Sequence, residues 1–157
     1  LLYIYLIFIN LIKLFSNEII SEIGTDMQAF PSEHHLASWA GMCPGNNESG
    51  GKKKPSKIRH GNKYLKATLV ELAWAATRTK GTYFRSKYDK LASRKGKKKA
   101  LIAIGHMILC ACYHIILKKE PFNELGMDFL EEKLKEKRIE HYAKKLKELG
   151  YKIDKIA

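Results

Sequence analysis

Acidic side chains are scarce in this 157-residue sequence, where 16 Asp and Glu residues face 29 Lys and Arg residues and the formal net charge is +13. Such an excess predicts a polyanionic partner, either a nucleic acid or an anionic membrane surface. The scarcity is greatest between Glu48 and Glu71, where no acidic residue occurs, and from Arg78 to Lys99, where Asp89 is the single acid. We therefore expect this basic part of the chain to contact a nucleic-acid backbone.

Cysteine is also scarce. Cys43, Cys110 and Cys112 are an odd number without a disulfide-type spacing, which favours a reducing, cytoplasmic environment. His106, Cys110 and His114 lie four residues apart and would share one helical face, but no paired C-x-x-C accompanies them. We interpret them as core residues with hydrogen-bonded histidines, and we expect no metal site in this chain.

Two catalytic patterns are missing. Gly45 and Gly50 have the spacing of a P-loop, but Gly51 stands where the lysine is required and no strand precedes the loop. The acidic residues that a two-metal nuclease would pair are scattered without a common helical face: Asp26, Glu33, Glu48, Asp89 and Asp128. The sequence therefore excludes a P-loop nucleotide site and a self-contained metal-dependent nuclease.

Alternating β-branched runs and internal repeats are absent, so the predicted class is mainly α: a compact helical domain with a long Gly/Lys-rich loop, plus an apolar N-terminal helix. Leu36, Trp39 and Ala40 are expected on the buried side of a short helix that ends at Gly41. The loop is predicted over residues 41–61. Predicted helices follow from Asn62 to near Gly81, from Tyr83 to Gly96, over 97–118, and over a charged C-terminal segment.

Two apolar runs, residues 1–15 and 100–117, raise the alternative of a small membrane protein. The first is too short to span a bilayer and contains Asn10 and Lys13, whereas the second also suits a buried helix. We therefore do not expect a membrane partner. The first residue is Leu rather than Met, and we expect the chain to be a fragment of a longer protein.

The stretch ESGGKKK, residues 48–54, is the candidate chemical site. The Ser49 hydroxyl could attack a DNA phosphodiester, Gly50 and Gly51 would let the phosphate approach, and Lys52 to Lys54 would neutralise its charge. Glu48 and His60 are the candidate bases, and the sequence does not choose between them. The alternative is a basic loop that binds anions without chemistry.

Four blocks carry a more specific signal: EIGTDMQAFPSEHHLASWAGMCPGNNESGGKKK, GNKYLKATLVELAWAA, GTYFRSKYDKLASRKGKKKALIAIGHMIL and FNELGMDF. From about Glu22 to Tyr151 the chain resembles the C-terminal domain of insertion-sequence transposases of the IS one-ten and IS one-sixteen group, which are bridge-RNA-guided recombinases. The resemblance implies that Ser49 is a nucleophile forming a phosphoserine intermediate during DNA cleavage and rejoining. It also implies that DNA or guide RNA contacts a set of basic residues: Lys52, Lys53, Lys54, Lys57, Arg59, Lys63 and Lys66.

The resemblance also predicts a domain division and missing parts. Residues 1–21 would form an apolar segment outside the family match, 22–126 the catalytic domain, and 127–157 a charged amphipathic helix and tail. The acidic, nuclease-like N-terminal half is absent, so Mg²⁺ is expected only with that half and the chain would be a truncated copy. A homo-oligomer is implied for the full-length protein, without a small-molecule substrate. The rival function is a non-catalytic nucleic-acid-binding remnant.

Overall fold

The computed structural model describes residues 13, 15–45, 48–53, 58, 60–123 and 125–151, with Lys53 described by its backbone alone. Among these residues the fold is mainly α, as predicted, and its strands are two residues long. The elements are helix α1 over 15–23, a 3₁₀ turn at Met27–Ala29, α2 at Glu33–Trp39, β1 at Glu48–Ser49, β2 at Lys52–Lys53, α3 at Lys63–Arg78, α4 at Tyr83–Lys95, α5 at Lys97–Lys118 and α6 at Phe129–Glu148.

Local capping residues set the helix ends. The Asn62 side chain accepts hydrogen bonds from the amides of Tyr64 and Leu65, at 3.0 and 3.1 Å, and so begins α3. Thr82 begins α4 in the same way, through a 3.2 Å bond from the Arg85 amide. Gly96, at φ +84°, separates α4 from α5. The predicted cap at Asn62 and the predicted boundary at Gly96 are confirmed.

Helix α5 is the centre of the core and packs against α2, α3 and α4. Its buried Ile104 and Ile108 belong to the same cluster as Leu36 of α2 and Leu69 of α3. By length and composition α5 could also cross a membrane, since an 18-residue window of it has a mean hydropathy of 2.1. A core helix has the same composition, and the packing on three helices favours that role.

Helix α1 is part of this core, because Ile19 and Ile23 are buried in the same cluster. The Glu22 carboxylate accepts a hydrogen bond from the Asn62 side-chain amide, which ties α1 to the start of α3. The predicted domain boundary before Glu22 falls inside this helix, and the division of the chain into three parts stays a prediction.

One buried position was predicted wrongly. Trp39 is 44% exposed, and its ring packs beside Phe30 at a centroid distance of 5.6 Å. Leu36, Ala37 and Ala40 are fully buried. At about 100° per residue these three share one side of α2, and Trp39 lies outside that arc. The short helix therefore buries Leu36 and two alanines and presents its largest side chain at the surface.

Candidate active site and nucleic-acid interface

The segment predicted as an irregular loop contains a tight β-hairpin. Strands β1 and β2 pair antiparallel, with Ser49 opposite Lys52 and Glu48 opposite Lys53. Gly50 and Gly51, at φ +57° and +73°, form the two-residue turn. Positive φ at both central positions is the pattern of a type I′ turn, which glycine adopts without steric cost. Gly50 and Gly51 are therefore required by the turn conformation, in addition to their proposed role in letting a phosphate approach.

The hairpin register places the Ser49 and Lys52 side chains together. Residues directly opposite each other in an antiparallel pair project from the same face, with Cβ atoms about 5 Å apart. Both residues are exposed. Successive residues of a strand project to opposite faces, so Glu48 lies on the other face from Ser49. The register therefore puts the Lys52 side chain on the same face of the hairpin as the Ser49 hydroxyl, and the Glu48 carboxylate on the other face.

The hairpin projects from the helical core. An isolated bridge between Pro44 and Ile58 closes its base. Among the described residues, no Cα atom of β1 or β2 lies within 8 Å of a Cα atom in helices α2 to α6. Apart from each glycine and its chain neighbours, no heavy atom of the described residues lies within 4 Å of an ideal Cβ built on Gly50 or Gly51. The turn is therefore open to an extended ligand such as a DNA strand.

The predicted basic residues are placed as follows. Lys52 is exposed on the hairpin, and the side chain of Lys53 lies outside the described residues. Lys63 and Lys66 line an open groove of about 430 Å³ on α3, together with His60, Gly61, Ala67, Val70 and Glu71. Lys54, Lys57 and Arg59 lie outside the described residues. The structure thus brings Lys63 and Lys66 together and sets Lys52 beside Ser49.

Aromatic residues that were not predicted as site residues lie beside the Lys63 end of α3 and at its other end. A neighbouring groove, also about 430 Å³, is lined by Trp39, Gly61, Asn62, Lys63 and Tyr64. At the other end of α3 the Arg78 guanidinium lies over the Trp74 ring, 4.7 Å from its centroid. Plotting α3 as a helical wheel would have placed Tyr64 and Trp74 on the face opposite Leu65, Leu69 and Leu72.

A second group of ionisable residues joins α2 to α5. The Glu33 carboxylate lies 3.9 Å from His34 Nε2 and 3.7 Å from His114 Nε2. His106 Nδ1 lies 3.9 Å from Cys110 Sγ, and burial raises the pKa of Cys110 to about 11. Within the described part of the chain, no three His, Cys, Asp or Glu side chains are arranged to hold a metal ion.

Residues 13–89 match the transposase IS116/IS110/IS902 family. This transposase match includes the Ser49 hairpin and all of α3. The chain is also 34% identical over 103 residues to proteins called pilin gene-inverting protein in Moraxella lacunata and Moraxella bovis, an alignment covering 63% of this chain and 32% of each relative. It therefore spans about a third of the length of these curated relatives. No solved structure matches the chain. The matched family is one of transposases, and the name of the two relatives describes gene inversion.

Proposed function

We propose that this chain is the serine-bearing catalytic domain of a DNA transposase or recombinase, with Ser49 as the nucleophile. The observation that carries the proposal is the cross-strand pairing of exposed Ser49 with Lys52 around the open diglycine turn. The transposase match, which contains this hairpin, supports the substrate class. The proposed catalytic unit is residues 22–126, and α6 belongs to an appended segment, 127–157.

The proposed reaction exchanges one phosphate ester for another. Ser49 Oγ bonds to a DNA phosphorus, the bond from phosphorus to one deoxyribose oxygen breaks, and the serine proton passes through a base to that oxygen. A hydroxyl from another DNA end then attacks the phosphoserine and releases Ser49. Each step forms one phosphate ester bond and breaks another, so the reaction consumes no ATP. The Lys52 ammonium stabilises the negative charge on the five-coordinate phosphorus.

The general base is proposed to come from outside β1. Glu48 is on the opposite face of the hairpin from Ser49. His60 follows the hairpin and lines the α3 groove, which leaves it as the candidate base within this chain. The alternative is a group from the nuclease-like half, where Mg²⁺ would also bind. We propose that this half, further protomers and a guide RNA complete the active assembly.

The test is covalent capture of DNA. The chain, and a Moraxella bovis pilin gene-inverting protein whose aligned third is replaced by this chain, are incubated with labelled DNA substrates and analysed on denaturing gels. We expect an adduct at least in the chimera, with the phosphoserine peptide containing Ser49. Ser49→Ala should abolish the adduct and leave DNA binding within about twofold, because one exposed hydroxyl contributes little to binding. Ser93→Ala, at another exposed serine, is the matched control.

Two outcomes would contradict the catalytic proposal. An adduct that persists in Ser49→Ala assigns the nucleophile to another residue. Salt-sensitive DNA binding without an adduct in the chain or the chimera favours the non-catalytic remnant, since phosphate contacts alone make affinity fall steeply with salt. One observation favours the non-catalytic function: Glu48 lies on the opposite face of the hairpin from Ser49, where it cannot act as its base.

A further inference from the structure

Three large aromatic side chains of α2 and α3 are exposed. Trp39, Tyr64 and Trp74 are 44%, 64% and 47% exposed, respectively. Aromatic side chains of this size usually contribute to cores and interfaces, because burying them removes a large apolar area from water. Their exposure therefore indicates a surface that is covered when the protein acts.

Each of the two aromatics on α3 is paired with a cation. Lys63 Nζ lies 4.9 Å from the Tyr64 ring centroid, and the Arg78 guanidinium lies 4.7 Å from that of Trp74. At about 100° per residue, all four positions fall within roughly 100° of one another around the helix. This face combines aromatic planes for bases with positive charges for phosphates.

The spacing along α3 matches a short length of single strand. Tyr64 and Trp74 are separated by ten residues, or about 15 Å along the helix axis. At about 3.4 Å per stacked nucleotide, this distance covers roughly four nucleotides. The two grooves share Gly61 and Lys63, so the surface continues from Trp39 onto α3.

The Trp39 end of the surface is fixed by close backbone packing. An ideal Cβ on Gly61 would lie 2.4 Å from the Gly41 amide nitrogen and 2.5 Å from the Ala40 carbonyl carbon. The end of α2 and the start of α3 therefore approach within a distance that only glycine permits. This contact holds Trp39 and Tyr64 on the same groove before any ligand binds, which reduces the cost of ordering them.

We infer that this surface, defined as Trp39, Lys63, Tyr64, Trp74 and Arg78, binds single-stranded DNA by stacking unpaired bases on its three aromatic rings. Duplex DNA stacks its bases internally and offers them no exposed face, so a duplex would use only the cations. The inference rests on the proposed function for the choice of DNA, since strand cleavage and rejoining create unpaired ends. The stacking surface itself is argued from the exposed rings and their paired cations.

The two tryptophans of the chain make the surface directly observable. Both of them, Trp39 and Trp74, belong to it, so intrinsic tryptophan fluorescence reports on nothing else. We expect a 12-nucleotide single-stranded DNA to quench this fluorescence at low salt. An abasic strand of equal length, with the same charge and no bases, should quench little and bind more weakly. Trp39→Phe and Trp74→Phe each leave one reporter and should each retain quenching.

Affinity measurements separate stacking from charge. Tyr64→Ala should weaken binding of the base-containing strand by about five- to 150-fold, the range for losing one stacked base. The same variant should leave abasic-strand binding within twofold. Tyr142→Ala removes a similarly exposed tyrosine from α6 and should change neither affinity.

The outcomes distinguish this surface from the Ser49 proposal. Equal affinity for base-containing and abasic strands, or no quenching, would overturn the stacking surface even if Ser49 adducts form. A tenfold preference for RNA over DNA would overturn the assignment to DNA. Ser49→Ala should preserve both quenching and affinity, so loss of adducts leaves the stacking surface intact.

Discussion

The hairpin and the helical core differ in what their residues contact. Leu69 in α3 and Ile104 in α5 are fully buried within one cluster. Ser49 is exposed on a hairpin whose Cα atoms stay beyond 8 Å from those of α2 to α6 in the described chain. The candidate chemistry therefore lies on a projection that contributes little to the core, and stability and chemistry should respond to different substitutions.

The largest expected effect is on stability when the core is truncated. Leu69→Ala should lower the free energy of unfolding by about 2–5 kcal/mol, because it removes buried methyl groups and leaves a cavity. Ser49→Ala should change it by less than about 0.5 kcal/mol, as is usual for an exposed position. Urea denaturation followed by circular dichroism measures both. Similar losses for the two variants would show that the hairpin is part of the cooperative core.

Substitutions at two glycines, Gly61 beside the core and Gly50 in the hairpin, test the same difference in stability. Gly61→Ala forces a Cβ to within 2.4 to 2.7 Å of Ala40 and Gly41 backbone atoms, so we expect a loss of about 1–3 kcal/mol. In the part of the chain that the structure describes, the new Cβ of Gly50→Ala meets no atom within 4 Å beyond its chain neighbours, and its strain at φ +57° is local to the turn. It should change the global unfolding midpoint less than Gly61→Ala does. A larger shift for Gly50→Ala would contradict the separation of hairpin and core.

The helices could be predicted from the sequence because their signals are local. Asn62 begins α3 by accepting hydrogen bonds from amides two and three residues later, and Gly96 ends α4 with a backbone conformation that favours glycine. The exposure of Trp39 depends instead on which side of α2 contacts the core, and that side is Leu36, Ala37 and Ala40. That contact joins two segments whose relative position no local pattern specifies.

For the candidate site, the sequence predicted the residues but not their pairing across the hairpin. Ser49 and Lys52 were selected for their chemistry, but their direct pairing depends on the turn that Gly50 and Gly51 adopt. A Gly-Gly pair is a known hairpin signal, and here no alternating strand pattern accompanied it. Trp74 lies on the helical face opposite Leu65, Leu69 and Leu72, so the periodicity of α3 could have placed it at the surface.

A smaller loss of folding stability is expected in the helical part of the molecule when the pH is lowered. Burial, followed by the nearby charge of His34, lowers the pKa of His106 in α5 below its ordinary value of 6.5. At a pH between the lowered pKa of the folded chain and 6.5, His106 carries a proton in the unfolded chain but not in the folded chain. The contribution of His106 to stability is therefore complete above pH 6.5 and falls as the pH drops below it.

His106→Gln removes the titrating group, so the variant should lose less stability than the parent between pH 7.5 and 5.5. Glu33 stays ionised across this window, because a hydrogen bond from its own backbone amide, helped by His114 and His34, lowers its pKa from 4.5. His141→Gln, on exposed α6, is the matched control and should decline with pH as the parent does. Urea midpoints at the two pH values provide the measurement. An equal decline in His106→Gln and the parent would mean that the half-buried His106 is protonated as readily in the folded chain as in the unfolded one.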